Sequence, residues 1–300
     1  MAIYRLSATV VKRSEGRTVT AAAAYRAGAV ITDTRTGQVF DYARRRGVLH
    51  AEILAPDDAP AWIRDRAELW NATEAAEKRK DAQLAREVQV ALPCELALAQ
   101  QTDLVRAFVT AAFVARGMVA DVAIHAADRH GDGRNTHAHI LLTMRELAGG
   151  GFGKKVRSWN DSGLLEQWRV AWAEFVNRAL ERERIPVRVD HRSLAAQGIT
   201  RTPQIHIGTA VAEMAARGIT TDRGERAATI EATALPAQTP IPEVRPVGEV
   251  QKQKPAEGRP RRRWHGLLDA FRAAAAAFVR PLRPITAGGR RYLTRAYGIG

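Results

Sequence analysis

Short runs of this chain alternate apolar with polar residues, and the stretches between them repeat their apolar positions at helical spacing. The clearest alternation is Ala85–Leu92. Glu87, Gln89 and Ala91 face one way and Val88, Val90 and Leu92 the other, so the run predicts a strand, which Pro93 ends. Ile3–Val11, Val48–Leu54, Met118–His125 and His137–Met144 read the same way. Val30–Thr32 and Val39–Asp41 read as a short hairpin around Asp33–Gln38. Helices are expected at Thr18–Ala29, Ala61–Glu77, Leu98–Arg116 and Asp161–Arg184. The last carries the stripe Leu164, Leu165, Trp168, Trp172, Phe175, Val176, Leu180. Gly149–Lys155 reads as a flexible loop. Strands with polar partners, interleaved with helices, predict an α/β (α+β) domain: a central antiparallel sheet flanked by helices.

After about Gly208 the apolar pattern loosens. The expected organisation is a domain over 1–208, a largely irregular linker over 209–263, and a basic amphipathic tail over 264–300. Thr233–Arg263 is rich in Pro, Gln and charge, and Trp264–Leu282 reads as a short basic helix. Charge sharpens this division. The chain has 300 residues and a formal net charge of +14. Ile241–Gly300 holds 13 Lys plus Arg against 4 Asp plus Glu, most of the excess. Such a surplus implies a polyanionic partner, either nucleic acid or a membrane surface. A single cysteine, Cys94, excludes an internal disulfide framework and a cysteine-rich zinc site. Neither a secretory signal nor a membrane-spanning run is visible, so the cytoplasm is the expected location.

The sharpest chemical signal is His137-Ala138-His139. On a strand both imidazoles project to one side. His125 closes the preceding strand, and the loop Ala126–Thr136 returns the chain beside it. If those strands pair, three neutral imidazoles meet on one face and form a site for a divalent metal with open positions. The bland reading packs His125 at a strand end and leaves the pair in solvent. Asp121 shares the face of His125, and Glu87 lies on the polar face of its own strand. Either carboxylate can orient a ligand histidine, accept a tyrosine proton, or simply face solvent. His130 sits in a Gly-Asp-Gly-Arg loop and reads as exposed. The second signal is Tyr25-Arg26 within a helix of tiny residues, which would let a phosphate backbone approach closely. Arg26 suits a phosphate, and Tyr25 is either a nucleophile or a tyrosine packed on the sheet.

These residues resemble a known family. AAAAYRAG at Ala21–Gly28, LWNATEAAEKRKDAQLAREVQVALP at Leu69–Pro93, and DVAIHAADRHGDGRNTHAHILLT at Asp121–Thr143 look like the mobilisation relaxases of the MobA/MobL class. Trp159-Asn160-Asp161 and Asp190-His191-Arg192-Ser193 extend the likeness, which covers roughly residues 1–208. The resemblance implies the HUH endonuclease fold, with a histidine–metal cluster on the sheet. By position it implies Tyr25 as nucleophile and His125, His137 and His139 as metal ligands, with Glu87 in the family's acidic strand motif. Cys94 has no implied role. The implied reaction nicks one DNA strand at an origin of transfer, leaving a 3′-hydroxyl and a 5′-phosphotyrosine. Implied partners are single-stranded and duplex DNA, relaxosome accessory proteins and a type IV secretion coupling protein. Arg26, Lys154, Lys155, Arg157 and the tail residues Arg261, Arg262 and Arg263 are the expected DNA contacts. Trp159 reads either as a base-stacking residue or as a core anchor. The tail reads as a DNA-binding polycation or as a helix lying on anionic lipid. Two rival functions fit the same residues. One is an HUH-type replication initiator or transposase, and the other is an accessory protein that binds DNA or membrane without catalysis.

Overall fold

A computed structural model of the protein describes residues 3–127, 133–203, 205 and 207–233. In chain order it runs β1 (Leu6–Lys12), α1 (Val19–Ala27), β2 (Val30–Thr32), β3 (Val39–Asp41), β4 (Val48–Leu54) and α2 (Arg66–Ala76). It continues with β5 (Gln83–Ala91), α3 (Leu98–Ala112), β6 (Ala120–His125), β7 (His137–Leu142), β8 (Arg145–Ala148) and β9 (Gly151–Lys155). Helices α4 (Ser162–Arg182), α5 (Gly208–Ala216) and α6 (Asp222–Thr233) follow. Five strands make the main sheet in the order β1-β5-β7-β6-β4, and every neighbouring pair is antiparallel.

Alternation along the strands splits the core in two. Val88, Val90, Val122, Ile124, Ala138, Ile140 and Leu142 face α3 and α4. There Phe108 stands 4.9 Å from Trp172, 5.5 Å from Phe113 and 5.8 Å from Phe175, ring centre to ring centre. Each of these rings is fully buried, which contributes about 2–3 kcal/mol per side chain. Trp159 is buried in the same cluster, the core reading of that residue. On the other face Val11, Ala85 and Leu141 pack with Ala23 and Ala24 of α1 and with Leu69 and Trp70 of α2.

Helix α1 is defined by its ends. The Thr18 side chain accepts from Ala21 N at 3.1 Å, and Gly28 closes the helix with φ 63°. A Cβ at Gly28 would sit 3.3 Å from Val48 Cγ2, so the glycine also permits close approach to β4. Ala22, Ala23 and Ala24 are buried. Their small size brings helix and sheet together, and is not turned outward to admit a phosphate.

Several expected boundaries shift for identifiable reasons. The helix expected over Ala61–Glu77 is a 3₁₀ turn at Ala61–Arg64 followed by α2, because Asp65 caps a new helix by accepting from Glu68 N at 2.8 Å. The helix expected to Arg116 ends at Ala112 and tightens into a 3₁₀ turn, stopped by Gly117 at φ 86°. The loop expected at Gly149–Lys155 is instead the hairpin β8–β9. Gly149 and Gly150 both take positive φ, the requirement of a tight turn that matches strand twist. Phe152 of β9 stacks edge-on against Trp62 at 5.7 Å.

The start of the expected irregular linker is helical. Helix α5 is alanine-rich and followed by Gly218 at φ 75°, and Thr221 Oγ1 accepts from Gly224 N at 3.1 Å where α6 begins. Propensity and capping, which the sparse apolar pattern hides, define this pair. The rest of the expected linker, the Trp264–Leu282 helix, Arg261, Arg262, Arg263 and His130 all lie outside the described residues. No helix among the described residues is long and apolar enough to cross a membrane.

Candidate metal centre and nucleophile

Strand register assembles the three histidines. His125 of β6 lies directly across from His137 of β7, and His139 lies across from Ala123 of β6 and Gln89 of β5. The ring centres are 4.7 to 5.6 Å apart. One ring nitrogen from each lies within 4.8 Å of the other two. One nitrogen of each ring is held by an outer partner. His139 Nδ1 is 2.6 Å from Glu87 Oε1, His137 Nδ1 is 2.9 Å from the Asn135 carbonyl, and His125 Nε2 is 2.7 Å from the Arg26 carbonyl. Carbonyl and carboxylate oxygens only accept, so these three nitrogens carry the protons. Nδ1 of His125 and Nε2 of His137 and His139 are thereby left with lone pairs. Three neutral donors, each fixed by an outer partner, fit a divalent cation with open positions.

Burial favours the neutral form of His125 and His137. Burial pushes His125 down to about 4, with His139, Arg45 and His137 adding to the effect against the Arg26 carbonyl. Burial lowers His137 as well. Burial raises Glu87, but hydrogen bonds from His139 and Arg26 outweigh it and hold the carboxyl at about 2. Arg26 Nε is 2.6 Å from Glu87 Oε1 and its Nη2 bonds Oε2. Arg26, an expected DNA contact, is thus spent on orienting Glu87.

An unfolded histidine takes up a proton near pH 6.5, whereas folded His125 refuses it until about pH 4. Stability of the metal-free protein should therefore fall as pH drops from about 6.5 to about 4. Chemical denaturation across that window checks this, and a midpoint that stays constant would contradict the assigned environment of His125.

Tyr25 does not pack on the sheet. It projects from the last turns of α1 and is 47% exposed. The next residue supplies the carbonyl that holds His125, so the helix turn that bears the tyrosine abuts the histidine cluster. The Tyr42 ring meets it edge-on at 5.2 Å, and the Arg45 guanidinium lies over it, 3.6 Å from the ring centre. Sequence reading missed Arg45. Its only signal was an unexplained run of three arginines, Arg44-Arg45-Arg46.

Asp121 shares the parity of His125, but its carboxylate turns to α2. It accepts from Arg66 at 2.8 and 2.9 Å and from Trp70 Nε1 at 2.8 Å. A place among the catalytic groups, as expected from parity alone, is not what these contacts give it. Asp121→Ala should cost about 3 kcal/mol by stranding Arg66 and the indole N–H. Unchanged unfolding stability with lost activity would return Asp121 to the chemistry. Lys155 likewise departs from its expected DNA role: it reaches Glu77 at 3.0 Å and the Gln83 carbonyl at 2.5 Å, tying β9 to β5. Lys154 and Arg157 are exposed, as a DNA contact requires.

The antiparallel sheet thus bears an H-x-H strand at its centre, carries helices on both faces, and meets through the Arg26 carbonyl the helix that bears Tyr25. The MobA/MobL family model matches residues 17–217, and the chain belongs to that family. The Mobilization protein MobL of Acidithiobacillus ferridurans is 42% identical over 242 residues, covering 71% of this chain and 63% of its own length. The Conjugal transfer protein TraA of Rhizobium radiobacter is 39% identical over 239 residues, covering 69% of this chain and 21% of its own. A solved structure described as the molecular basis of vancomycin resistance transfer in Staphylococcus aureus superposes with a TM-score of 0.59 at 30% identity. It covers 64% of this chain and 100% of its own. The chain therefore spans less than two thirds of the length of these curated relatives.

Proposed function

We propose that this chain is a relaxase that nicks one DNA strand at an origin of transfer through a covalent Tyr25 intermediate. The observation that carries the reading is the three-histidine cluster, its outer nitrogens tied down, sharing the Arg26 carbonyl with the helix turn that bears an exposed tyrosine. The relatives named for mobilisation and conjugal transfer support the same reading.

Tyr25 Oη forms a bond to phosphorus as the bond from phosphorus to the 3′-oxygen breaks. The phenolic proton leaves to solvent and the departing oxygen takes one up, giving a 3′-hydroxyl and a 5′-phosphotyrosine. One phosphodiester replaces another, so the reverse attack can reseal the strand without an external energy source. A divalent cation, Mg²⁺ or Mn²⁺, held by His125, His137 and His139, would stabilise charge on the non-bridging phosphate oxygens. Glu87 fixes the tautomer and direction of His139, and Arg26 keeps Glu87 ionised. A carboxyl held at about 2, with both oxygens bonded, is a poor base, so Glu87 acts by positioning. Single-stranded DNA at the origin is the proposed substrate. Relaxosome proteins and a type IV coupling protein are the proposed partners.

The test uses single-stranded oligonucleotides tiled across the DNA that adjoins the gene, with Mg²⁺ or Mn²⁺. A denaturing gel should show protein joined to the 5′ end of a cut product. No adduct with any tile, from protein that binds the oligonucleotides, would overturn the reading.

A further inference from the structure

A run of cations beside Tyr25 has no role in the chemistry above. After β3 the chain turns sharply: Asp41 Oδ1 accepts from Ala43 N at 3.0 Å, and Arg45 N donates to the Tyr42 carbonyl at 2.9 Å. The turn sets Arg45 against the end of α1, with Arg44 and Arg46 exposed on either side of it in sequence. Arg45 donates through Nη1 to the Tyr25 carbonyl while its guanidinium covers the Tyr25 ring. With Tyr42 on its edge, a half-exposed tyrosine is held from two directions. Such a side chain would otherwise sample several rotamers, and a fixed one is already placed for attack.

Arg45 also lies close enough to the histidines for its charge to act on both His125 and His137. It therefore stands near nucleophile and metal centre alike. Arg44 and Arg46 are exposed, and a cleft of about 370 Å³ opens between Asp41, Tyr42, Arg44 and Arg45. Arg26, on the same helix as Tyr25, is spent on Glu87. Among the described residues no ion pair to a carboxylate engages Arg44, Arg45 or Arg46. Asp41 is the one acidic residue on that cleft, so three adjacent cations are offset only in part, and a bound polyanion relieves the repulsion that remains. A guanidinium with four N–H groups still available matches the oxygens of a phosphate.

We propose that the 41–46 turn is the phosphate platform of the nicking centre: Arg45 positions Tyr25 and meets the phosphate it attacks, and Arg44 holds a neighbouring phosphate of the same strand. The assignment of Arg45 to the attacked phosphate rests on Tyr25 being the nucleophile. The binding role does not, and the test separates the two.

Binding is measured by fluorescence anisotropy with the full-length Tyr25→Phe protein and a labelled oligothymidylate of about 30 nucleotides, over a range of salt. Adding Arg44→Ala or Arg45→Ala should weaken binding roughly 3–10-fold and lower the slope of log K against log salt by about 0.7 each. Cutting is measured with Tyr25 intact, at saturating protein, on the tile that is cleaved. Arg45→Ala should slow it by roughly 30-fold or more, because the ring is no longer held for attack. Arg45→Lys should restore binding and melting temperature but not the cutting rate, since an ammonium cannot cover the ring and bond the carbonyl together. An unchanged salt slope in the Arg44→Ala/Arg45→Ala double variant overturns the platform. Wild-type cutting by Arg45→Ala overturns the positioning role. If the Tyr25→Phe protein itself cuts, the nucleophile is misassigned, and the salt slope alone then judges the arginines.

Discussion

Tyr25→Phe should abolish strand cutting and leave binding of single-stranded DNA within about twofold of the parent. The phenol oxygen is the proposed nucleophile, and removing a covalent nucleophile costs on the order of 10⁴-fold or more. The change is nearly isosteric. Arg45 still has an aromatic face to cover, and its bond to the residue-25 carbonyl involves no side chain of Tyr25. A loss of binding would therefore indicate a collapsed site and not a missing nucleophile. The measurement is the covalent adduct on a denaturing gel together with anisotropy on the same preparation. Full adduct formation by the variant would move the chemistry to another tyrosine, Tyr42 being nearest at 5.2 Å.

The second large effect concerns the histidines. His125→Ala, His137→Ala and His139→Ala should each lower Mn²⁺ affinity more than hundredfold, read by calorimetry, and slow cutting in step. Glu87→Gln should act more weakly, by about 10–100-fold, the range for a group that orients a ligand without touching the ion. The ordering is the informative part. His139 stays in place in Glu87→Gln but loses the carboxylate that fixes its tautomer, 2.6 Å away. Equal losses for Glu87→Gln and His139→Ala would make Glu87 a ligand. Retained affinity in any of the three histidine variants would remove that residue from the centre. His130→Ala should match the parent protein.

Much of this site was legible in one dimension. The pairing of His137 with His139 follows from strand parity, and His125 from its place at the end of the preceding alternating run. Tyr25 stood out by its setting of alanines, although the reason assigned to those alanines was wrong: three of the four pack inward. Parity also placed Asp121 on the face of His125, which is correct, and suggested shared chemistry, which its contacts with Arg66 and Trp70 do not support. Face is a local property of a strand, whereas the partner of a side chain on that face depends on what packs above it. The hairpin at Gly149–Lys155 shows the same limit, since a Gly-Gly pair serves a loop and a tight turn equally until cross-strand contacts decide.

The sequence by itself therefore determined the five strands of the main sheet, helices α1 to α4, the core stripes and the shared face of the three histidines. All of these follow from periodicities of 2 and 3.6 residues, from capping residues and from side-chain chemistry, which act between near neighbours. Only the tertiary structure decided how the charges pair. Arg26 meets Glu87 across 61 residues of sequence, Arg66 meets Asp121 across 55, and Arg45 reaches back 20 to Tyr25. Long flexible side chains can satisfy any of several partners. The choice falls to the few that the packing of α1 and α2 on the sheet brings within hydrogen-bonding distance, away from competing water.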